Sequence, residues 1–290
     1  MVETLDSQNG RYSPRDCEIF ASGLDHPESL AFDDTGVMWA GGEAGQLYRI
    51  SPEGVVDQVA VLGGLCLGIT VSAAQDLWVC NAGLRSLMHV DRGGNVLQSV
   101  TTVAGRKLIN PNHSVFDHLG NMYFTDSGTW DDGNGYIYRL GLKGNEEIIG
   151  GPFHFPNGIA LSDDGRSLFV AESQTDSVLR LVLDASGCAT ATERYADGLA
   201  RVPDGIILDS RGNLYVMCYA SDAIYCVSPQ GKTELLIYDR EATRLARPTN
   251  AAFGGPNHDD LYIANFGRWH VGRLHIGVAG QRLNNMRKRG

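Results

Sequence analysis

Helical periodicity is the first thing missing from this 290-residue sequence. No extended segment repeats its apolar residues at the spacing of an amphipathic helix, which excludes helical bundles and α/β architectures. Long apolar runs are missing too. Nothing approaches the roughly 18 residues of a membrane-spanning helix, so no membrane partner is expected. Basic charge is scarce: 24 Lys and Arg stand against 34 Asp and Glu, a net charge of −10. Nucleic acid and anionic membranes are thereby disfavoured, because both need clustered cations. The one basic cluster, Arg287-Lys288-Arg289, reads as a solvated tail. The opening stretch is polar, so no secretory leader is expected. The cysteines Cys17, Cys66, Cys80, Cys188, Cys218 and Cys226 form no CxxC pair. They read as reduced thiols, mostly buried, in a cytoplasmic protein. A GxSxG elbow, a phosphate-cradling glycine loop and HExxH are all absent.

What the chain has is a repeat. A short apolar strand, a turn rich in Asp and Gly, and an aromatic-containing strand recur in ESLAFDDTGVMWAGG, LGITVSAAQDLWVCN, NHSVFDHLGNMYFTD, NGIALSDDGRSLFVAES, DGIILDSRGNLYVMC and TNAAFGGPNHDDLYIAN. These phrases start at Glu28, Leu67, Asn112, Asn157, Asp204 and Thr249. A period of about 40 to 50 residues with several short strands per unit is the signature of a β-propeller. Third strands follow at GQLYRIS, SLMHVD, GYIYRLG, SVLRLVLD, AIYCVSP and VGRLHIG, and a less regular fourth strand precedes each next repeat. The sixth unit stops after its third strand. The segment CEIFASG, which precedes the first repeat as fourth strands precede the others, supplies what is missing. The expected fold is all-β: a six-bladed propeller whose N-terminal strand completes the last blade. Residues 1–290 are read as one domain, with 1–14 and 280–290 as flexible ends.

In a propeller the first strand of each blade lines the axis, so equivalent first-strand positions form a ring. The opening column reads Glu28, Leu67, Asn112, Asn157, Asp204, Thr249, preceded by proline in five of the six repeats. Taken singly, Asn157-Gly158 and Asp204-Gly205 could be turn dipeptides. Taken as a column, two carboxylates and two amides converging in one channel are costly without a cation. Glu28, Asn112, Asn157 and Asp204 therefore read as ligands of a hard divalent ion, with water completing the shell. The column lacks His and Cys, so a zinc site of the nitrogen and sulfur type is not implied.

These residues carry a family resemblance. HPES at Glu28, PNHSVF at Asn112, FPNG at Asn157 and VPDG at Asp204 resemble the phrases of the senescence marker protein/gluconolactonase/LRE-like family, over nearly the whole chain. The resemblance implies one divalent ion, calcium first and zinc, magnesium or manganese as alternatives. It also implies hydrolysis of a lactone, with Asp204 as general base. Two positions depart from the pattern. His113 stands where the family usually has Asp, and Asn110 stands where sugar-lactone members have an Arg that holds the sugar. Both weigh against a gluconolactone-like substrate and leave the ligand set intact.

The expected reaction is lactone opening, with the ion polarising the carbonyl and Asp204 or His113 activating water. A carboxylate on a cation is a weak base, which keeps His113 in competition. Asp126 and Glu172 close equivalent second strands and read as loop anchors or alternative bases. Loops at the ligand end would supply the substrate wall: His26, Asn110, Trp130, His154, Phe155, Tyr219, Phe266 and Trp269. Their aromatic content suits an apolar or cyclic molecule. The partner is thus a small molecule, and homo-oligomerisation is left open. Rival readings are phosphotriester or fluorophosphate hydrolysis, another metal-dependent ring-opening or isomerising reaction, and a metal-stabilised propeller without catalysis.

Overall fold

The computed structural model describes residues 5, 10–141 and 144–283. Six four-stranded antiparallel sheets are arranged around an axis as a six-bladed β-propeller. The innermost strands are Leu30–Phe32, Cys66–Val71, Pro111–Phe116, Pro156–Leu161, Pro203–Leu208 and Pro248–Gly254. Each packs beside the innermost strand of the next blade, and the strand of blade six returns to that of blade one. Cys17–Ser22 pairs with His270–His275 and forms the outer strand of blade six, closing the ring with the start of the chain. Among the described residues no helix is long and apolar enough to cross a membrane. None of the six cysteines forms a disulfide, and all but Cys188 are buried.

The turns between first and second strands follow one chemical plan. Asp33, Asp117 and Asp209 each receive backbone N–H groups two and four residues on. Gly36, Gly120, Gly165 and Gly212 take the positive φ that the turns require. The apolar core lies between blades. Trp39 and Leu47 of blade one, for example, pack with Ile69, Leu77 and Val79 of blade two. A short hairpin, Thr102–Val103 with Arg106–Lys107, sits between blades two and three and has no counterpart in the repeat.

The ends expected to be flexible are partly pinned. Arg11 and Tyr12 donate their N–H groups to Leu235 and Leu236, laying the chain parallel to the outer strand of blade five. The chain near the C-terminus crosses the far mouth of the axial channel, opposite the ligand end. Gly280 N donates to His258 O and Gln281 N to Leu208 O, and Gln281 Nε2 donates to Leu161 O at 2.8 Å. Residues 1–4, 6–9 and 284–290, with the basic cluster, lie outside the described residues.

Asn157-Gly158 and Asp204-Gly205 lie inside innermost strands and make no turn. Their glycines allow neighbouring strands to touch: a Cβ on Gly158 would lie 2.4 Å from Asp204 O, and one on Gly205 2.4 Å from Thr249 O. Gly158→Ala is expected to destabilise the protein by about 1–3 kcal/mol, the usual range for overpacking. Urea denaturation checks this, and an unchanged midpoint would contradict such close contact.

Candidate functional site

The ladders explain how the column is aimed at the axis. In blade three Pro111 faces Asp126 and Ser114 faces Phe124, so the inner strand takes three steps where its neighbour takes two. The same irregularity follows Cys66, Pro156 and Pro203, and a smaller one follows Pro248. Each such bulge falls on the column position, where it re-aims the side chain. In blade one the ladder starts at Leu30, and Glu28 precedes it. The residues before four of the five prolines that precede the column adopt the left-handed region: His26 (φ 43°), Phe155 (60°), Val202 (61°) and Arg247 (51°). For the β-branched Val202 this is a strained conformation.

Neighbouring loops hold these entries in place. Val202 N donates to Asp176 Oδ1 at 2.9 Å, and Arg247 N donates to Asp222 Oδ1 at 2.6 Å. Asp126 and Glu172 prove to be loop anchors: Asp126 accepts from Ile109 N and Asn110 N, and Glu172 from His154 N. Hydroxyl groups tie the column's backbone between blades. Thr249 Oγ1 donates to Glu28 O (2.8 Å), Thr125 Oγ1 to Asn157 O (2.7 Å) and Ser173 Oγ to Pro203 O (2.6 Å).

All four column residues, Glu28, Asn112, Asn157 and Asp204, are buried. Burial, and then the repulsion of Asp204, pushes the Glu28 carboxyl well above its ordinary range. Burial raises Asp204 in the same way, against a hydrogen bond from Asn157. Among the described residues no basic side chain offsets either charge. Asn157 Nδ2 also donates to Ser173 Oγ at 3.3 Å, which leaves its carbonyl oxygen for the channel. Two mutually repelling carboxylates and an oriented amide oxygen make a donor set of the kind that holds a hard cation.

His113 looks down the channel from this set. Ile159 N donates to its Nδ1 (3.4 Å), and its Nε2 lies 3.1 Å from the Asn250 amide. Burial pulls its pKa down to about 4, so the ring is neutral. With Nδ1 accepting, the neutral ring carries its proton on Nε2, and an Nε2–H donor requires the Asn250 amide flipped from its Nδ2-facing orientation, so that Oδ1 accepts. This bridge joins blades three and six, on opposite sides of the axis. Beyond it lies a cavity of about 70 Å³ lined by the apolar residues of the inner strands and closed by His258, Gln281 and Leu283. None of the four candidate ligands lines it.

The expected wall residues gather at the ligand end. His26 packs with Phe266 (5.8 Å between centroids) and Trp269 (6.0 Å), and Tyr219 packs with Phe266 (6.2 Å). Trp130 meets Phe155 at 4.8 Å. His154 packs against the Gly133 turn, and Asn110 is held through its backbone by Asp126 and Ser127. His26 also meets Asp25 (2.9 Å) and Glu43 (3.2 Å) through Nδ1. Trp269 Nε1 donates to its Nε2 at 3.1 Å. Both ring nitrogens are therefore engaged, and this cluster offers an ion no nitrogen lone pair.

Sequence reasoning missed Asp176, Asp222, Ser173, Thr125 and Asn250. A signal for the first two was present: ESQTD and CYASD place an Asp four residues after the second strand in blades four and five.

Fold and column together define a six-bladed propeller with an oxygen-rich axial ring. The chain belongs to the SMP-30/Gluconolactonase/LRE-like family, whose model matches residues 27–266. It is similar to a gluconolactonase of Zymomonas mobilis, 30% identical over 64% of this chain and 57% of that protein. A pentonolactonase of Haloferax volcanii is 24% identical over 87% of this chain and 82% of its own. Among solved structures, the calcium-binding protein regucalcin of Agrobacterium tumefaciens superposes with a TM-score of 0.75. It is 18% identical, over 93% of this chain and 96% of that one.

Glu28→Gln removes one of two buried, repelling charges. In chelator the variant is expected to be more stable than the wild type by about 1–3 kcal/mol. A thermal melt with chelator checks this, and a less stable variant would contradict the repulsion.

Proposed function

We propose that the protein is a metal-dependent lactonase whose ion is held by Glu28, Asn112, Asn157 and Asp204. The observation that carries the proposal is the pairing of Glu28 with Asp204, buried and, among the described residues, without a basic partner. Two relatives are named for lactone hydrolysis, and the structural neighbour regucalcin is named for calcium. A hard, oxygen-ligated ion, calcium first, suits the donor set.

When bound, a divalent ion supplies Lewis acidity to the lactone carbonyl. The chain's own residues do the rest. Asn112 and Asn157 orient the site through neutral oxygens that carry no proton. One Asp204 carboxylate oxygen accepts the proton of the attacking water. The water oxygen bonds to the carbonyl carbon, the ring C–O bond breaks, and Asp204 returns the proton to the departing ring oxygen. The product is a hydroxy acid. His113, with both nitrogens hydrogen-bonded, serves as the floor of the chamber rather than as a base. Trp130 and Phe155 on one side, with His26, Phe266 and Trp269 on the other, give the substrate apolar walls.

Asp204→Asn is expected to lower kcat/KM on the best lactone of a panel by about a hundredfold or more. A fully active variant would refute the assignment. Adding calcium at about a hundred times its Kd should stabilise the wild type by about 2.7 kcal/mol. The variant should lose most of that response in calorimetry, and an equal response in both proteins would remove Asp204 from the ligand set.

A further inference from the structure

The residue two before the column position lies at the entry to each inner strand, on the column's end of the blades. Around the six blades this position reads His26, Leu65, Asn110, Phe155, Val202 and Arg247. One member is a permanent cation. Arg247 belongs to blade six, opposite Asn110 of blade three.

Arg247 is exposed, yet it is held from several sides. Its backbone sits in the left-handed region at φ 51°. Its N–H is fixed by Asp222 Oδ1 at 2.6 Å, and its carbonyl accepts Phe266 N at 3.1 Å. Its guanidinium donates through Nη1 to Tyr219 Oη at 3.0 Å and lies 5.3 Å from the centre of the Tyr219 ring. Tyr219 in turn packs on Phe266, and Phe266 on His26. The cation is thus set into the aromatic wall that runs from blade five through blade six to blade one.

The charge of Asp222 acts on Arg247 through space without forming an ion pair with its guanidinium. Arg11, Arg49, Arg180 and Arg273 are each paired with a carboxylate. Among the described residues no carboxylate lies within ion-pair distance of the Arg247 guanidinium, and Asp222 gives its oxygen to the backbone N–H instead. A fixed guanidinium with donors to spare is built for a planar, bidentate acceptor.

We propose that Arg247 is a specificity-determining residue, and that the substrate is a lactone with an apolar ring body and a carboxylate substituent directed at Arg247. This rests on the lactonase reading and adds the substrate's charge to it. The carboxylate takes the free guanidinium N–H groups. The ring lies between the wall of Tyr219, Phe266 and Trp269 and that of Trp130 and Phe155, with the lactone carbonyl over the column.

The test uses the full-length, calcium-loaded protein and a matched pair of phenyl-substituted γ-lactones, one with a ring carboxylate and one with a carboxamide. The wild type should favour the carboxylate by about tenfold, mainly through KM. Arg247→Met should abolish the preference, Arg247→Lys should keep part of it, and Tyr219→Phe should weaken it. The same pair built as tetrahydrofurans, which cannot be hydrolysed, is measured by calorimetry. If the lactones stay closed while the ethers show the preference and its loss in Arg247→Met, the hydrolytic reading fails and recognition of the carboxylate by Arg247 stands. Equal affinity of the wild type for both ethers, no binding of either, or an unchanged preference in Arg247→Met would overturn it.

Discussion

Neighbouring inner strands approach so closely that a methyl group on Gly158 or Gly205 would collide with the carbonyl of the next blade at 2.4 Å. This contact sets the geometry of everything on the axis. Strands that close cannot all follow a regular ladder, and five of the six inner strands depart from it at the column position. The backbone carbonyls exposed there are taken up by hydroxyls of Thr125, Ser173 and Thr249. Buried backbone oxygens need such partners, so the hydroxyls are as much a part of the ring as the residues they support.

Packing of this kind forces polar side chains together in a place with little water. Glu28 and Asp204 repel each other, and burial raises the cost of charging both. A protein would relieve that cost with a basic residue, a shared proton or a cation. The first is absent among the described residues, and the amide set beside the two acids suits the third. Deeper in the channel the character changes. The bridge between His113 and Asn250 separates the oxygen-rich ring from an apolar cavity, which the chain near Gln281 closes at the other mouth. The aromatic loops and Arg247 gather at the opposite end, on the side of the oxygen-rich ring.

Most of the architecture could be read from the repeat. The six units, the strand order and the closure by CEIFASG appear where the phrases place them, because a four-stranded blade cannot bury its faces alone and the period records each blade. The column was legible for the same reason. The aim of its side chains was not, since a bulge is a mismatch between two strands and leaves no mark in either. Asn157-Gly158 reads locally as a turn; only the neighbouring blade shows that its glycine is there for contact. His113 shows a further limit. Its place beside Asn112 suggested a base, but its partners Ile159 and Asn250 come from other blades, and they occupy both nitrogens. The hairpin at Thr102 to Lys107 breaks the repeat and was invisible to it.

Convergence of the four column side chains on one ion is what the proposed site depends on most. A crystal of the protein soaked in manganese, measured at the manganese absorption edge, tests it directly. One strong anomalous peak is expected on the axis, about 2.0–2.6 Å from oxygens of Glu28, Asn112, Asn157 and Asp204. A peak confined to surface acids such as Asp25 and Glu43, or an axis without any peak, would contradict it.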